Sequence, residues 1–280
     1  MRGHRTVVPL VISWIATLAF LPVFGVVMLA FDVAQRVAYR ISPRAQEYVA
    51  GAVQWLLIRI FRIAGARVAV ERSPRFKGWT DYLVISNHQS LFDIAILGGV
   101  LFSNFPKYIS KRSLGRGIPT VSYNLRVGGH VLIERGDGAA AVASIRELGR
   151  RIRRGGCSAV IFPEGTRSRH GELGNFKPAG TLALLEEAPN TPVVPLAIDQ
   201  SWRLMEHNFF PLPWGVRVRV WIGDPIERAP DESHAELIER CRTQIAGTLA
   251  RWRGEPVPVA TEPARESLGV AARGPHPQWH

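Results

Sequence analysis

Asn87-His88-Gln89-Ser90-Leu91-Phe92-Asp93 places a histidine and an aspartate five positions apart, where an apolar strand gives way to a second apolar segment. The pair reads as a base and its orienting acid. Neutral imidazole, with an ordinary pKa near 6.5, takes a proton from a hydroxyl at physiological pH. A carboxylate on its other ring nitrogen sets the tautomer and stabilises the imidazolium that forms. No serine or cysteine nucleophile is needed if the substrate brings the hydroxyl. Of the eight histidines only His88 has an aspartate at that spacing; His234 has Glu239 there, in a run of mixed charge that reads as the solvated face of a helix.

Phe162-Pro163-Glu164-Gly165-Thr166-Arg167-Ser168 directly follows another apolar run, SAVIF, and such positions are where open α/β sheets build binding sites. Gly165 lets backbone approach a ligand, Thr166 offers a hydroxyl, and Arg167 offers a planar fork for two phosphate oxygens. Glu164 and Arg167 could equally pair as a turn-stabilising salt bridge. Lys111, in KRSLGRGIP, and Arg135, closing GHVLIER, each read on their own as ordinary solvated bases. Yet loops after three separate strands each deliver a cation or a base and acid pair, which is how α/β enzymes assemble a site for an anionic substrate. Cys157 and Cys241 have no metal-ligand spacing and read as reduced core residues of a cytosol-facing domain. No metal or cofactor is expected.

The elements that must carry these residues follow from pattern. Candidate strands are 67–71, 81–86, 130–134, 158–162, 192–198 and 216–222, with helices over 138–154, 178–187 and 231–252. DYLVIS is apolar enough to be buried on both faces, whereas VRVRVWI alternates and suits an edge or one-sided strand. Strands alternating with helices imply an α/β fold, a mixed, largely parallel sheet flanked by helices. Residues 7–31 carry no charged side chain, enough for a helix of roughly 37 Å. The run is too long for a typical cleaved leader and reads as an uncleaved membrane anchor, with Pro9 and Pro22 allowing a kinked or half-inserted helix. Segment 44–66 has helical periodicity; it either lies along the lipid interface with Trp55 at head-group depth or packs on the soluble domain. The expected organisation is therefore membrane-anchoring helices over 1–66, a catalytic domain over 67–252, and a flexible Pro, Gly and Ala-rich tail over 253–280. Lys and Arg outnumber Asp and Glu by 35 to 23, a net +12, which favours anionic surfaces. Nucleic acid is excluded as a partner, since no recognition motif accompanies the charge.

Together NHQSLFD, the stretch ending Leu132-Ile133-Glu134-Arg135, FPEGTRS, and Val193-Val194-Pro195-Leu196-Ala197 resemble the four motifs of the glycerolipid acyltransferases typified by 1-acyl-sn-glycerol-3-phosphate acyltransferase, over about residues 65–225. Glu134 stands where members of that family often have aspartate, and His130 matches no catalytic position and reads as structural. The resemblance implies the glycerol-3-phosphate acyltransferase-like fold. It also implies transfer of an acyl group from acyl-CoA or acyl carrier protein to the sn-2 hydroxyl of lysophosphatidic acid. In that reaction His88 is the general base, Asp93 its orienter, and Lys111, Arg135 and Arg167 hold the acceptor phosphate. Glu164, Gly165 and Thr166 shape the pocket. Acceptor and product both reside in the bilayer and the donors are cytosolic, so the catalytic domain is expected at the cytoplasmic face of the inner membrane. Acylation of another lysolipid would use the same motifs; a non-catalytic lipid-binding protein would gain little from a poised base.

Overall fold

A computed structural model describes residues 4–134, 138–228 and 232–256, with side chains from Leu10 onward. Two helices open the chain. α1 (His4–Ile41) runs unbroken through Pro9 and Pro22, and α2 (Pro43–Ile60) turns back from it. The turn is set locally: Ser42 is extended, its hydroxyl accepts from Ala45 N–H at 3.0 Å, and Pro43 supplies a preset φ at the first helical position. A 3-10 turn over Phe61–Ala64 then delivers the chain into the sheet.

The sheet has seven strands: β1 (Arg67–Arg72), β2 (Leu83–Ser86), β3 (Lys107–Lys111), β4 (Val131–Ile133), β5 (Ala159–Ile161), β6 (Val193–Asp199) and β7 (Arg217–Ile222), in the order β1-β7-β6-β2-β5-β3-β4. β6, β2, β5, β3 and β4 are mutually parallel, and β7 joins β6 antiparallel while carrying β1 parallel to itself. One end of the sheet thus gathers the C-terminal ends of five strands and the N-terminal ends of two. β2 and β6 are buried at every position, as two-faced central strands must be. β7 is not an edge strand. It is one-sided, burying Val218, Val220 and Ile222 while Arg217 and Arg219 point away.

Helices cover both faces. α5 (Gly138–Arg153), α6 (Pro178–Glu187) and α7 (His234–Arg253) close one core around Leu83, Ile85, Ala159 and Ala197. On the other face Phe20 of α1, Val53, Leu57 and Ile60 of α2, and Ile96 and Leu97 of α3 (Asp93–Val100) pack on Val84, Val160 and Leu196. The N-terminal helices therefore share a core with the sheet. Segment 44–66 packs on the domain along one side and leaves Trp55 exposed beneath the Arg59 guanidinium.

α1 is also fastened by polar groups. Leu212 N–H donates to Thr17 Oγ1 at 2.9 Å and Trp214 N–H to Ser13 Oγ at 3.0 Å, both in the loop before β7. Near its far end Asp32 Oδ1 accepts from Thr120 N–H at 2.7 Å and Gln35 donates to Thr120 O at 3.2 Å, in the loop between β3 and α4 (Val121–Val127). α1 accordingly lies across the end of the sheet where the five parallel strands finish. Leu10–Ile41 is apolar and long enough to cross a membrane by length and composition, and its outer side exposes Leu18, Val26, Leu29 and Val33.

Candidate active site

β2 stops at Ser86, and Asn87 replaces the ladder: its side-chain amide donates to Ile198 O and accepts from Ile198 N–H, both at 2.8 Å. A peptide-like side chain lets the main chain leave the sheet without stranding β6 groups. His88 is then gripped by its backbone. Its N–H donates to Glu164 Oε1 at 2.7 Å and its carbonyl accepts from Ser168 N–H at 2.8 Å. The loop closes at Asp93, the first residue of α3, fully buried. Asp93 Oδ2 meets His88 Nδ1 at 2.8 Å and accepts from the N–H groups of Gln89 and Ser90 at 2.6 and 2.9 Å. Oδ1 accepts from the Ser201 hydroxyl at 2.5 Å.

A carboxylate can only accept, so this arrangement puts the imidazole proton on Nδ1 and leaves the lone pair on Nε2. The ring lies flat on Phe162, centroids 4.2 Å apart and planes 16° from parallel, with its side chain 15% exposed. One oriented base, its rotation blocked by a ring and its tautomer set by a buried acid, is chemically competent to activate a hydroxyl.

Residues 67–199 match the family model named Acyltransferase. This stretch is an acyltransferase-family domain. Among relatives, the 1-acyl-sn-glycerol-3-phosphate acyltransferase BAT2 of Brassica napus chloroplasts is 30% identical over 171 residues, 61% of this chain and 47% of that protein. The beta form from Homo sapiens is 30% identical over 143 residues, 51% of each chain. The chain thus spans about half the length of these curated relatives. The crystal structure of the LPA acyltransferase PlsC from Thermotoga maritima superposes with a TM-score of 0.73, covering 89% of this chain and 99% of that one at 24% identity, which establishes the shared fold.

Within the acyltransferase domain the other expected site residues separate into two sets. Glu164 faces inward, 4% exposed; Oε1 holds His88 N–H and Oε2 accepts from Gly174 N–H at 2.9 Å. Burial pushes its carboxyl up, against the pull of those backbone bonds and of His88. It makes no salt bridge with Arg167; each of its oxygens accepts a backbone N–H, one of them that of His88. Gly165, Thr166 and Arg167 are exposed on the loop after β5, where Gly165 takes φ +66, a left-handed turn that glycine enters without strain. Lys111 is exposed at the C-terminal end of β3, two strands and so about 10 Å from β2. Glu134 follows β4 and pairs with Arg112 at 3.1 Å. Arg135 lies outside the described residues. Among the described residues no group of three or more His, Cys, Asp or Glu is placed to hold a metal.

Three contributors stand outside the residues that motif and spacing single out. Ser201 sits in no recognisable motif, although its place just beyond an apolar strand is the same signal that marks the other two loops. Asp199, at the end of β6 and fully buried, accepts from Arg253 at 2.7 Å and from Arg219 at 3.2 Å. Burial would raise its carboxyl, but Arg253, Gln89 and the Gln200 backbone outweigh that and hold it below the usual range. Arg253 and Gln89 also both donate to Gly171 O, at 2.6 and 3.3 Å, so the last residue of α7 ties the two motif loops together. Lys177 is the third; its side chain lies against Gly165, about 3.7 Å from where a Cβ would stand there. His130 is structural, its Nδ1 accepting from Tyr108 N–H at 3.1 Å. Cys157 and Cys241 are free and buried, burial pushing the Cys241 thiol up to about 12.

Proposed function

We propose that this chain transfers a fatty acyl group from a thioester donor to the sn-2 hydroxyl of a 1-acylglycerol-3-phosphate, giving phosphatidic acid. The observation that carries the reading is the His88–Asp93 pair on an acyltransferase-family domain, with the Nε2 lone pair left for a substrate proton. Nε2 takes the proton of the acceptor hydroxyl as its oxygen attacks the thioester carbonyl carbon. The tetrahedral intermediate collapses, the C–S bond breaks, and the departing thiolate recovers the proton from the imidazolium. Acceptor and donor react in one ternary complex, with no acyl-enzyme and no cofactor; acyl-CoA and acyl carrier protein are both suitable donors. Arg167 and Lys111, with Arg135, hold the acceptor phosphate, Gly165 and Thr166 shape the acceptor pocket, and Glu164 positions the base.

Membrane association follows from α1. Its docked side is committed to the domain from Ser13 to Gln35, so a perpendicular crossing would drag polar domain surface into hydrocarbon. The helix lies in the plane of one leaflet with its outer side in lipid, and the active end of the sheet meets lyso-lipid there, on the cytoplasmic side where thioesters are made.

His88→Ala is expected to lower kcat on the order of 10³-fold with the fold retained, measured with lysophosphatidic acid and both donor types. Retention of most activity would sink the mechanism. A panel of lysolipids whose phosphate is esterified or absent checks the acceptor; equal rates across it would show that Arg167 and Lys111 do not recognise a free phosphate monoester.

A further inference from the structure

A cleft of about 630 Å³ opens at the sheet end that holds His88, but on its other flank, where β1 and β7 begin. It is lined by Arg62, Arg67 and Arg217, by Trp214, and by backbone at Gly65 and Gly215. Arg67 and Arg217 are register partners on adjacent parallel strands, so two guanidinium groups start side by side on the same face of the sheet. Like charges directly paired across strands destabilise a sheet unless something neutralises them. Among the described residues no carboxylate does so: Glu71, the acid further along β1, is taken by Arg251 and the Trp252 indole.

The wall of this cleft is built. A Cβ on Gly65 would meet the Trp214 ring at 2.6 Å, and Gly65 takes φ +70, so both the turn and the close seating of the indole demand glycine. Trp214 is 48% exposed, and its backbone N–H is the one bonded to Ser13 of α1. One turn of contact away Trp14 packs edge-on against Phe210, centroids 4.7 Å apart, both rings substantially exposed. Exposed indoles beside unpaired arginines, at the margin of an exposed apolar helix side, have the composition of a lipid head-group boundary.

We propose that Arg62, Arg67, Arg217 and Trp214 form a head-group site for the phosphate of an anionic phospholipid, distinct from the acceptor site beyond β2. The site rests on the membrane-docking reading of α1 and is independent of the acyl-transfer chemistry. Its occupant neutralises the Arg67–Arg217 pair and fixes which way round α1 lies in the leaflet.

Full-length R62Q/R67Q/R217Q protein is tested for binding to phosphatidylcholine vesicles and to vesicles of phosphatidylcholine with phosphatidylglycerol, beside R153Q/R154Q/R240Q, which removes the same charge from the end of α5, the turn after it and α7. The first triple is expected to lose on the order of a hundredfold in partition onto the anionic vesicles and to keep wild-type binding to neutral ones. The second triple loses less than about threefold, and R62K/R67K/R217K retains most binding. Equal loss in the two glutamine triples would reduce the site to net charge and overturn it. So would unchanged anionic binding, or a selective rise in acyl-CoA KM in detergent, which would reassign the cleft to the donor's nucleotide phosphates. Failure of wild-type protein to bind neutral vesicles would instead count against the docking of α1.

Discussion

Ser201 turns a two-residue relay into a three-residue one. Asp93 is fully buried and collects two backbone N–H groups, His88 Nδ1 and the Ser201 hydroxyl. Removing that hydroxyl takes a charge-assisted hydrogen bond from the carboxylate, about 1.5–3 kcal/mol in general. Ser201→Ala is expected to lower kcat by about tenfold while acceptor and donor KM stay near wild type, and Ser201→Thr is expected to restore most of it. A change confined to KM, or no rescue by threonine, would deny Ser201 its positioning role. The relay's first pair was legible in the sequence because its two members are near in the chain. Ser201 was not, since its separation from Asp93 is spanned only by strand order. Glu164 illustrates the converse: its place in FPEGTRS was visible, but the face of the loop it occupies depends on β5 lying beside β2, which no local pattern reports.

The strands read from apolar runs correspond to six of the seven strands, because a two-faced or alternating strand imposes its burial on composition. The seventh, β3, is Lys107-Tyr108-Ile109-Ser110-Lys111, lysine at both ends, and carried no such signal. Its buried lysine is held by Glu47 of α2 at 2.5 Å, a partner supplied by another element. The same neighbourhood sets a pH dependence. Burial, followed by the Lys107 and Arg151 charges, pushes the His130 imidazole down to about 3, and its Nδ1 must stay unprotonated to accept from Tyr108 N–H. In the unfolded chain the same group takes a proton near 6.5. Below that pH the unfolded state holds more protons than the native one, so stability falls as pH drops, by at most about 1.4 kcal/mol per unit, and the loss ends near the folded pKa. His130→Asn keeps an acceptor close to the Nδ1 position without titrating. Thermal midpoints measured between pH 7 and 5 are therefore expected to fall less steeply for the variant than for wild type; parallel curves would place the acid sensitivity elsewhere.

For the whole molecule the decisive geometry is that α1 is, among the described residues, the one helix long and apolar enough to cross a membrane and is also a structural member of the active end. Deleting it would remove Phe20 and uncover its partners Phe61 and Phe209, so loss of membrane binding in a truncated chain would be inseparable from loss of fold. The outer side of the helix can be altered without touching that core, since Val26, Leu29 and Val33 are at least 60% exposed. Burying each such side chain in lipid is worth about 1 kcal/mol or more, and replacing all three by glutamine adds the cost of desolvating three amides. V26Q/L29Q/V33Q protein is expected to fold normally and to lose at least about a hundredfold in partition onto neutral vesicles. Its acyl transfer should survive on detergent-dispersed acceptor and collapse on acceptor presented in vesicles. A helix that crossed the bilayer free of the domain would tolerate three amides with little change in carbonate-resistant membrane retention. That result would detach α1 from the sheet end, because the docked arrangement alone makes one element answer both to the leaflet and to the end of the sheet that carries the His88–Asp93 pair.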